Sequence, residues 1–276
     1  MPDIRSTSHA DRALHALSGV ASRVASLVIP AVLAAAVFSF VANNGSQPSG
    51  HRGADNADLT KLVASTTGTR LPRAGRDARP FAATDGAVVH PRRTLPVYAA
   101  PGRRPFAKIT PKQMGATWLP VVDVHGDWSK VLLPSRPNGS TGWLRNAHLE
   151  ERRTPYLIRV HVASRQLDLL RDGKLIGSWS VAVGTPSTPT PTGRTFLLGS
   201  IVDVAQNYSP VILPLGAHSD TLDAYGGGPG TVALHGWPDT SVFGSAASHG
   251  CVRVPPGALE ELRRVPLGTL VIVDQQ

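Results

Sequence analysis

Apolar residues cluster in this chain at three different periods, and each period marks a different kind of element. From Val24 to Ala42 there are 19 consecutive residues without a charge, just long enough for a spanning helix, which needs about 20. Pro30 is acceptable in a membrane helix. Arg5, Arg12 and Arg23 precede the run, which predicts a cytoplasmic N-terminus over 1–23 and export of everything after the anchor. A cleaved leader would have a shorter apolar core, about 7–15 residues, and an Ala-x-Ala type site. Ser39-Phe40-Val41-Ala42 fits that site poorly, so an uncleaved single-pass anchor over 24–42 is expected. Residues 43–83 are rich in Gly, Ser, Thr, Asp, Arg and Pro, too polar to offset their own ordering entropy, and read as a flexible linker. Fully extended at about 3.3 Å per residue, such a linker reaches on the order of 100 Å.

Beyond the linker the period becomes that of strands. Over 84–150, Thr94–Tyr98, Trp118–Val122, Trp128–Leu133 and Thr141–Leu144 are short apolar runs cut by Pro101-Gly102, His125-Gly126-Asp127 and Pro137-Asn138-Gly139. Strands at this spacing predict a small β-barrel or sandwich. From Pro155 the pattern resumes. Ile158, Val160 and Val162 alternate with Arg159 and His161, and Asp172-Gly173 lies between two apolar runs as a hairpin turn. The proline-rich Thr188–Gly193 predicts a rigid loop at a sheet rim. Thr231–Leu234 reads as a strand ending at His235, Pro256–Val265 as one short helix, and Leu267–Val273 as a closing strand. The expected fold is mainly β, in two domains behind an N-terminal transmembrane helix.

Charge narrows the partners only slightly. Lys and Arg outnumber Asp and Glu by 28 to 19, a formal +9 over 276 residues, which suits an anionic partner. The basic residues are dispersed in pairs such as Arg92-Arg93 and Arg152-Arg153. They carry no recognisable module and no interleaved aromatics, so nucleic acid is not an expected partner.

The chemistry concentrates near the C-terminus. Cys251 is the only cysteine, so it cannot form a disulfide within its own chain, and in an exported protein an unpaired thiol is an oxidation liability unless it reacts. It lies in Ser248-His249-Gly250-Cys251-Val252-Arg253, and 16 residues earlier Val232-Ala233-Leu234 runs into His235-Gly236. Amide exchange by a thiol needs a thiolate, a proton shuttle and donors for the developing oxyanion. A nearby imidazolium is expected to lower the thiol pKa. His249 and His235 both compete for that role: the first is close in sequence but can point away on a tight turn, the second can arrive from another strand. Zinc held by His218, His235, His249 and Cys251 is the alternative chemistry, though paired ligand spacings are absent.

The His-Gly element, the Ser-His-Gly-Cys element and Pro189-Thr190-Pro191-Thr192-Gly193 together resemble the L,D-transpeptidase catalytic domain (YkuD-like family) over 155–274. Gly126-Asp127-Trp128 and Gly142-Trp143-Leu144 resemble a bacterial SH3-like domain over 84–150. The first resemblance implies a YkuD-like β-sandwich and a cysteine acyltransferase that forms 3→3 peptidoglycan cross-links through a Cys251 thioester. L,D-carboxypeptidase activity at the same site, or a non-catalytic wall adaptor, is the alternative. It implies His235 as proton shuttle, Gly236 as the residue whose carbonyl orients it, and the N–H groups of Gly250 and Cys251 as oxyanion hole. His249 takes a supporting role. Arg253, Ser248, Tyr225 and His218 are the expected substrate-binding residues, and Gly226-Gly227-Gly228 the mobile part of the loop carrying Tyr225. The partners implied are peptidoglycan stem peptides and the cell wall, with the cytoplasmic membrane reached through the anchor. No metal or organic cofactor is expected.

Overall fold

Strand alternation over the first half produces one antiparallel sheet in the computed structural model, which describes residues 57–225 and 228–276. Its strands are β1 (Gly75–Arg76), β2 (Ala87–Pro91), β3 (Leu95–Tyr98), β4 (Pro105–Ile109), β5 (Leu119–His125), β6 (Trp128–Leu132), β7 (Ser140–Arg145) and β8 (Leu149–Arg153). They lie in the order β4-β3-β7-β6-β5-β2-β8, with β1 on β7. Of the tryptophans expected in this region, Trp128 is buried, whereas Trp118 and Trp143 are half-buried. Trp118 carries the Arg152 guanidinium 4.7 Å above its ring, and Trp143 has the Lys130 ammonium at 5.9 Å. The expectations over 1–23, 24–42 and the first part of the linker lie outside the described residues. Among the described residues no helix is long and apolar enough to cross a membrane.

Residues 57–83 are not the free linker that their composition predicts. Ser65, Thr67 and Leu71 are buried. Ser65 N–H donates to Lys108 O at 2.8 Å and Lys108 N–H to Val63 O at 2.9 Å, so this segment adds itself to the sheet edge. Its order comes from backbone pairing and hydroxyl contacts such as Ser65 Oγ to Ser135 Oγ, 2.7 Å, which hydrophobicity does not register. The strongest tie is charged. Arg194, in the second half, donates from Nε to Asp77 Oδ2 at 2.7 Å and from Nη2 to Asp77 Oδ1, with side chains only 2% and 3% exposed. Removing one partner of a buried pair strands the other charge. Asp77→Ala is therefore expected to lower unfolding free energy by about 3–5 kcal/mol in urea titrations; a loss below about 1 kcal/mol would show that the pair does not hold the segment.

In the second half, β9 (Tyr156–His161), β10 (Gln166–Arg171) and β11 (Lys174–Ser180) form two successive hairpins. Asp172 and Gly173 both have positive φ, 50° and 74°, as a two-residue primed turn requires. β12 (Val183–Gly184), β13 (Gly193–Phe196), β14 (Ile212–His218), β15 (Thr231–Gly236), β16 (Ala246–Ser248), β17 (Val252–Val254), the α-helix α1 (Pro256–Leu262) and β18 (Leu270–Asp274) follow. One sheet runs β11-β10-β9-β18-β13, a second β14-β15-β17, and β12 pairs with β16. The helix stops at Leu262, short of the expected Val265, and buries Ala258, Leu259 and Leu262 at helical spacing.

β18 shows how the halves join. All five of its residues are buried. Val271 and Val273 face a core with Ile158, Val160 and Leu167, while Leu270 and Ile272 face the other way, into a core with Val89, Leu119 and Leu144 of the first sheet. A strand covered on both faces reads as an unbroken apolar run. The expected split into 84–150 and 155–274 is thus a division of sequence, while the packing is continuous across it.

Candidate active site

The two elements that carry the reactive side chains are neighbours in one sheet. β15 and β17 pair in parallel with Leu234 opposite Val252 and His235 opposite Arg253. Cys251 immediately precedes β17, so sheet register brings together residues 16 positions apart in the chain. A cleft of about 520 Å³ opens there, lined by Cys251, His235, Arg253, Ser248, His249, Tyr225 and Trp237 among others.

Cys251 is partly exposed to this cleft. Its surroundings are nevertheless poorly hydrated, and burial pushes the thiol above its ordinary range. The Ala233 backbone amide and the Arg253 guanidinium act in the opposite direction without overcoming it. Burial thus works against the lowered thiol pKa expected from a nearby imidazolium. Burial also pushes His235 below the usual imidazole range, against the pull of the Gly236 carbonyl and assisted by Arg253. In this cleft burial is the largest influence on both groups, and it disfavours the charged form of each.

His235 is held in one tautomer. Its Nδ1 lies 2.8 Å from Gly236 O, and because a carbonyl only accepts, Nδ1 carries the proton and Nε2 keeps its lone pair. The Gly236 peptide is itself clamped. Its N–H donates to Ser209 Oγ at 2.7 Å, and that hydroxyl donates to Val211 O at 2.6 Å. Tyr208 and Trp237 pack edge-on against the imidazole at centroid distances of 5.1 and 6.1 Å.

The loop before Cys251 turns on Gly250, whose φ of +112° is one that side-chain-bearing residues rarely adopt. A Cβ there would still find room, its nearest neighbour being Pro189 O at 3.5 Å. Gly250 is required by its backbone angle and not by space. Ser248 donates to Cys251 O and accepts from Gly250 N–H at 3.1 Å. One of the two amides expected to form the oxyanion hole is therefore already engaged with Ser248 in the resting site. The proline-rich segment braces the same loop: Thr188 Oγ1 donates to Ser248 O at 3.2 Å, and Thr185 N–H, just before the segment, donates to the same oxygen at 3.0 Å. Gly250→Ala is expected to cost about 1–3 kcal/mol of backbone strain. Activity should fall at least tenfold if the substitution displaces the Cys251 amide by even ~1 Å. Thermal unfolding and acylation rate measured together would show it; wild-type behaviour in both would mean the loop relaxes freely.

His249 is exposed and stacks on Tyr225 with centroids 5.2 Å apart, its Nδ1 3.5 Å from the Tyr225 hydroxyl. Arg253 lies with its guanidinium 3.6 Å from the Trp237 ring centroid and with Nε buried and unpartnered. His218 is elsewhere. It is 4% exposed, its Nδ1 lies 3.0 Å from Ser219 O, and it does not line the cleft. β14 buries it beneath Asn138, so the substrate-binding role expected of it is corrected. Its displacement also dissolves the four-residue zinc alternative, and among the described residues no group of three His, Cys, Asp or Glu is placed to hold a metal. The mobile stretch expected at Gly226-Gly227-Gly228 falls largely outside the described residues. Sequence reading missed Tyr208, Ser209 and Trp237. Only Trp237 carried a signal, as the residue directly after His235-Gly236.

Comparison with known proteins places these residues in a family. The model of the L,D-transpeptidase catalytic domain, YkuD, matches residues 155–273. YkuD of Bacillus subtilis (strain 168), which carries the name of an L,D-transpeptidase, is 30% identical over 122 residues, 44% of this chain and 67% of its own. Among solved structures, an L,D-transpeptidase from Mycobacterium tuberculosis H37Rv is 14% identical, with 75% of this chain and 96% of that chain covered at a TM-score of 0.39. The catalytic domain of the Enterococcus faecium L,D-transpeptidase is 25% identical over 43% of this chain and 96% of its own, TM-score 0.34.

Proposed function

Since the chain belongs to the YkuD family of L,D-transpeptidases, we propose that it joins peptidoglycan stem peptides by 3→3 cross-links through a thioester on Cys251. The observation that supports this reading most directly is the locked tautomer of His235, whose free Nε2 belongs to the same cleft as the Cys251 thiol. With both groups neutral, the imidazole takes the thiol proton as sulfur attacks the carbonyl linking the L-centre of the third stem residue to the terminal D-alanine. That proton then passes to the departing D-alanine amine, leaving the acyl group on sulfur. A side-chain amine of a second stem peptide attacks the thioester, releases the thiol and forms the new amide. Arg253, held flat by Trp237, presents its guanidinium edge to a substrate carboxylate.

The anchor over 24–42 is retained in this proposal, as is an extracytoplasmic location where the polymer lies, and so is the SH3-like character of residues 84–150. Incubating the protein with tetrapeptide muropeptides and reading the products by mass tests the reaction. Cross-linked dimers together with free D-alanine are expected. Tripeptides alone would make it an L,D-carboxypeptidase, and unchanged substrate would overturn the proposal.

A further inference from the structure

The loop that carries Tyr225 belongs to the second half, yet its fastenings come from the first. The loop leaves β14 at Ser219 and returns to β15 after Gly230. Its neck is closed by Ser219 N–H donating to Gly230 O at 2.8 Å, and its tip by reciprocal bonds between Tyr225 and Gly228, both 3.0 Å. Tyr225 is 54% exposed and stacks on His249 at the cleft. Arg136, from the connection between β6 and β7, reaches both limbs. It donates to Asp223 Oδ1, to Asp223 O at 3.0 Å and to Pro229 O at 2.9 Å. Asn138, two residues on, holds the neck: its Nδ2 donates to His218 O at 2.8 Å and Asp220 Oδ1 at 3.1 Å, and its Oδ1 accepts from His218 N–H at 3.1 Å.

Arg136 is itself fixed by the segment that composition predicts to be a linker. Arg136 N–H donates to Thr69 O and Leu71 N–H to Arg136 O, both at 2.8 Å. The first half also reaches the cleft directly through Met114, which lines it. Met114 O lies where a Cβ on Gly199 would come within 2.4 Å, so the close approach of these two backbones depends on glycine.

We propose that the first half of the molecule builds one wall of the catalytic cleft, with Arg136 as the positioning residue that sets Tyr225 against His249 at the cleft that holds Cys251. The reasoning is geometric. A guanidinium whose Nη2 holds carbonyls on opposite limbs while its Nη1 holds the Asp223 carboxylate fixes the spacing of those limbs, and a lysine at the same place would supply charge without that planar set of donors. The wall defines how an extended peptide donor enters, so its loss falls on donor binding more than on the intrinsic reactivity of the sulfur. The kinetic part of this inference rests on the proposed transpeptidase reading; the shape of the cleft does not.

The experiment uses the full chain as wild type, Arg136→Met, Arg136→Lys and Asp223→Ala, the last altering a side chain that is 94% exposed and so sparing the core. Two quantities are read: kcat and KM for D-alanine release from a tetrapeptide, and the ratio of Cys251 alkylation rates by a bulky maleimide and by iodoacetamide. Arg136→Met is expected to raise KM about tenfold with kcat within about threefold. It should raise the bulky-to-small ratio at least about threefold, with Asp223→Ala and Arg136→Lys intermediate. Unchanged KM and ratio in both Arg136→Met and Asp223→Ala would overturn the proposal. So would parallel loss of kcat, iodoacetamide reactivity and thermal midpoint at a constant ratio, which a purely structural arginine would produce. If wild-type protein released no D-alanine, the transpeptidase reading would fail, while the labelling ratio would still decide the role of Arg136.

Discussion

Cys251→Ala is expected to abolish D-alanine release, lowering turnover by at least ~10³-fold, with the unfolding midpoint little changed. The size of the effect follows from the chemistry at the sulfur. No other described side chain in the cleft can form an acyl intermediate as easily: Ser248 is buried with its hydroxyl committed to Cys251 O and Gly250 N–H. Water would have to attack the amide directly, without the split into two smaller barriers. The small stability effect follows from position. Cys251 opens onto the cleft and belongs to neither core cluster, so removing its sulfur leaves no buried cavity. Cys251→Ser is expected to be nearly as inactive, because a hydroxyl is a far weaker nucleophile with the same neutral base. A carbapenem probe offers a second reading by intact mass. Wild type should gain one acyl adduct and Cys251→Ala none. Substantial turnover or an adduct in the alanine variant would remove Cys251 from the mechanism.

How much of this was legible depends on whether a feature is written locally. His235-Gly236 and Ser248–Arg253 are contiguous motifs, and the structure brings both to one cleft because β15 and β17 are sheet neighbours in a register that sets His235 opposite Arg253. The Asp172-Gly173 turn was legible for the same reason: two positive φ values select those residues. What was missed lies in long-range contacts. Residues 57–83 are polar, and composition registers burial of apolar surface, not a backbone that pairs with a sheet edge or an Asp77 that meets Arg194 across 117 positions. The unbroken run Leu270–Val273 did contain the information that its strand is covered on both faces, and its second cover turned out to be the first sheet. Tyr208, Ser209, Met114 and Arg136 stand in no motif at all. Their roles exist only once the fold has brought them to the site. The influence of burial on Cys251 and His235 was illegible for a related reason. Proximity alone predicts mutual charging, but desolvation in a shared cleft opposes both charged forms, and here it is the largest influence on each.

With burial opposing both charged forms, His235 is the second decisive residue, and its replacement is expected to have a distinctive pH signature. His235→Ala is expected to reduce acylation by about 10²–10⁴-fold at neutral pH, the usual range for a lost general base. In wild type the imidazole must be neutral to accept the thiol proton, so acylation should fall as pH drops through the His235 pKa. Burial moves that value down from about 6.5. The acid limb therefore lies below pH 6.5, and the rate should be flat from there through neutrality. On the alkaline side, burial moves the thiol above about 8.5. Thiolate forms only as pH rises past that shifted value, and then attack no longer needs a base. In His235→Ala the acid limb should vanish, and residual acylation should climb steadily with pH in step with the thiolate. Iodoacetamide labelling should climb alike in wild type and variant. An alkylation rate in wild type that had already reached its plateau near about pH 6 would mean a preformed thiolate–imidazolium pair. His235 would then act as the counter-ion of the nucleophile, and the neutral-pair mechanism derived from its burial would be wrong.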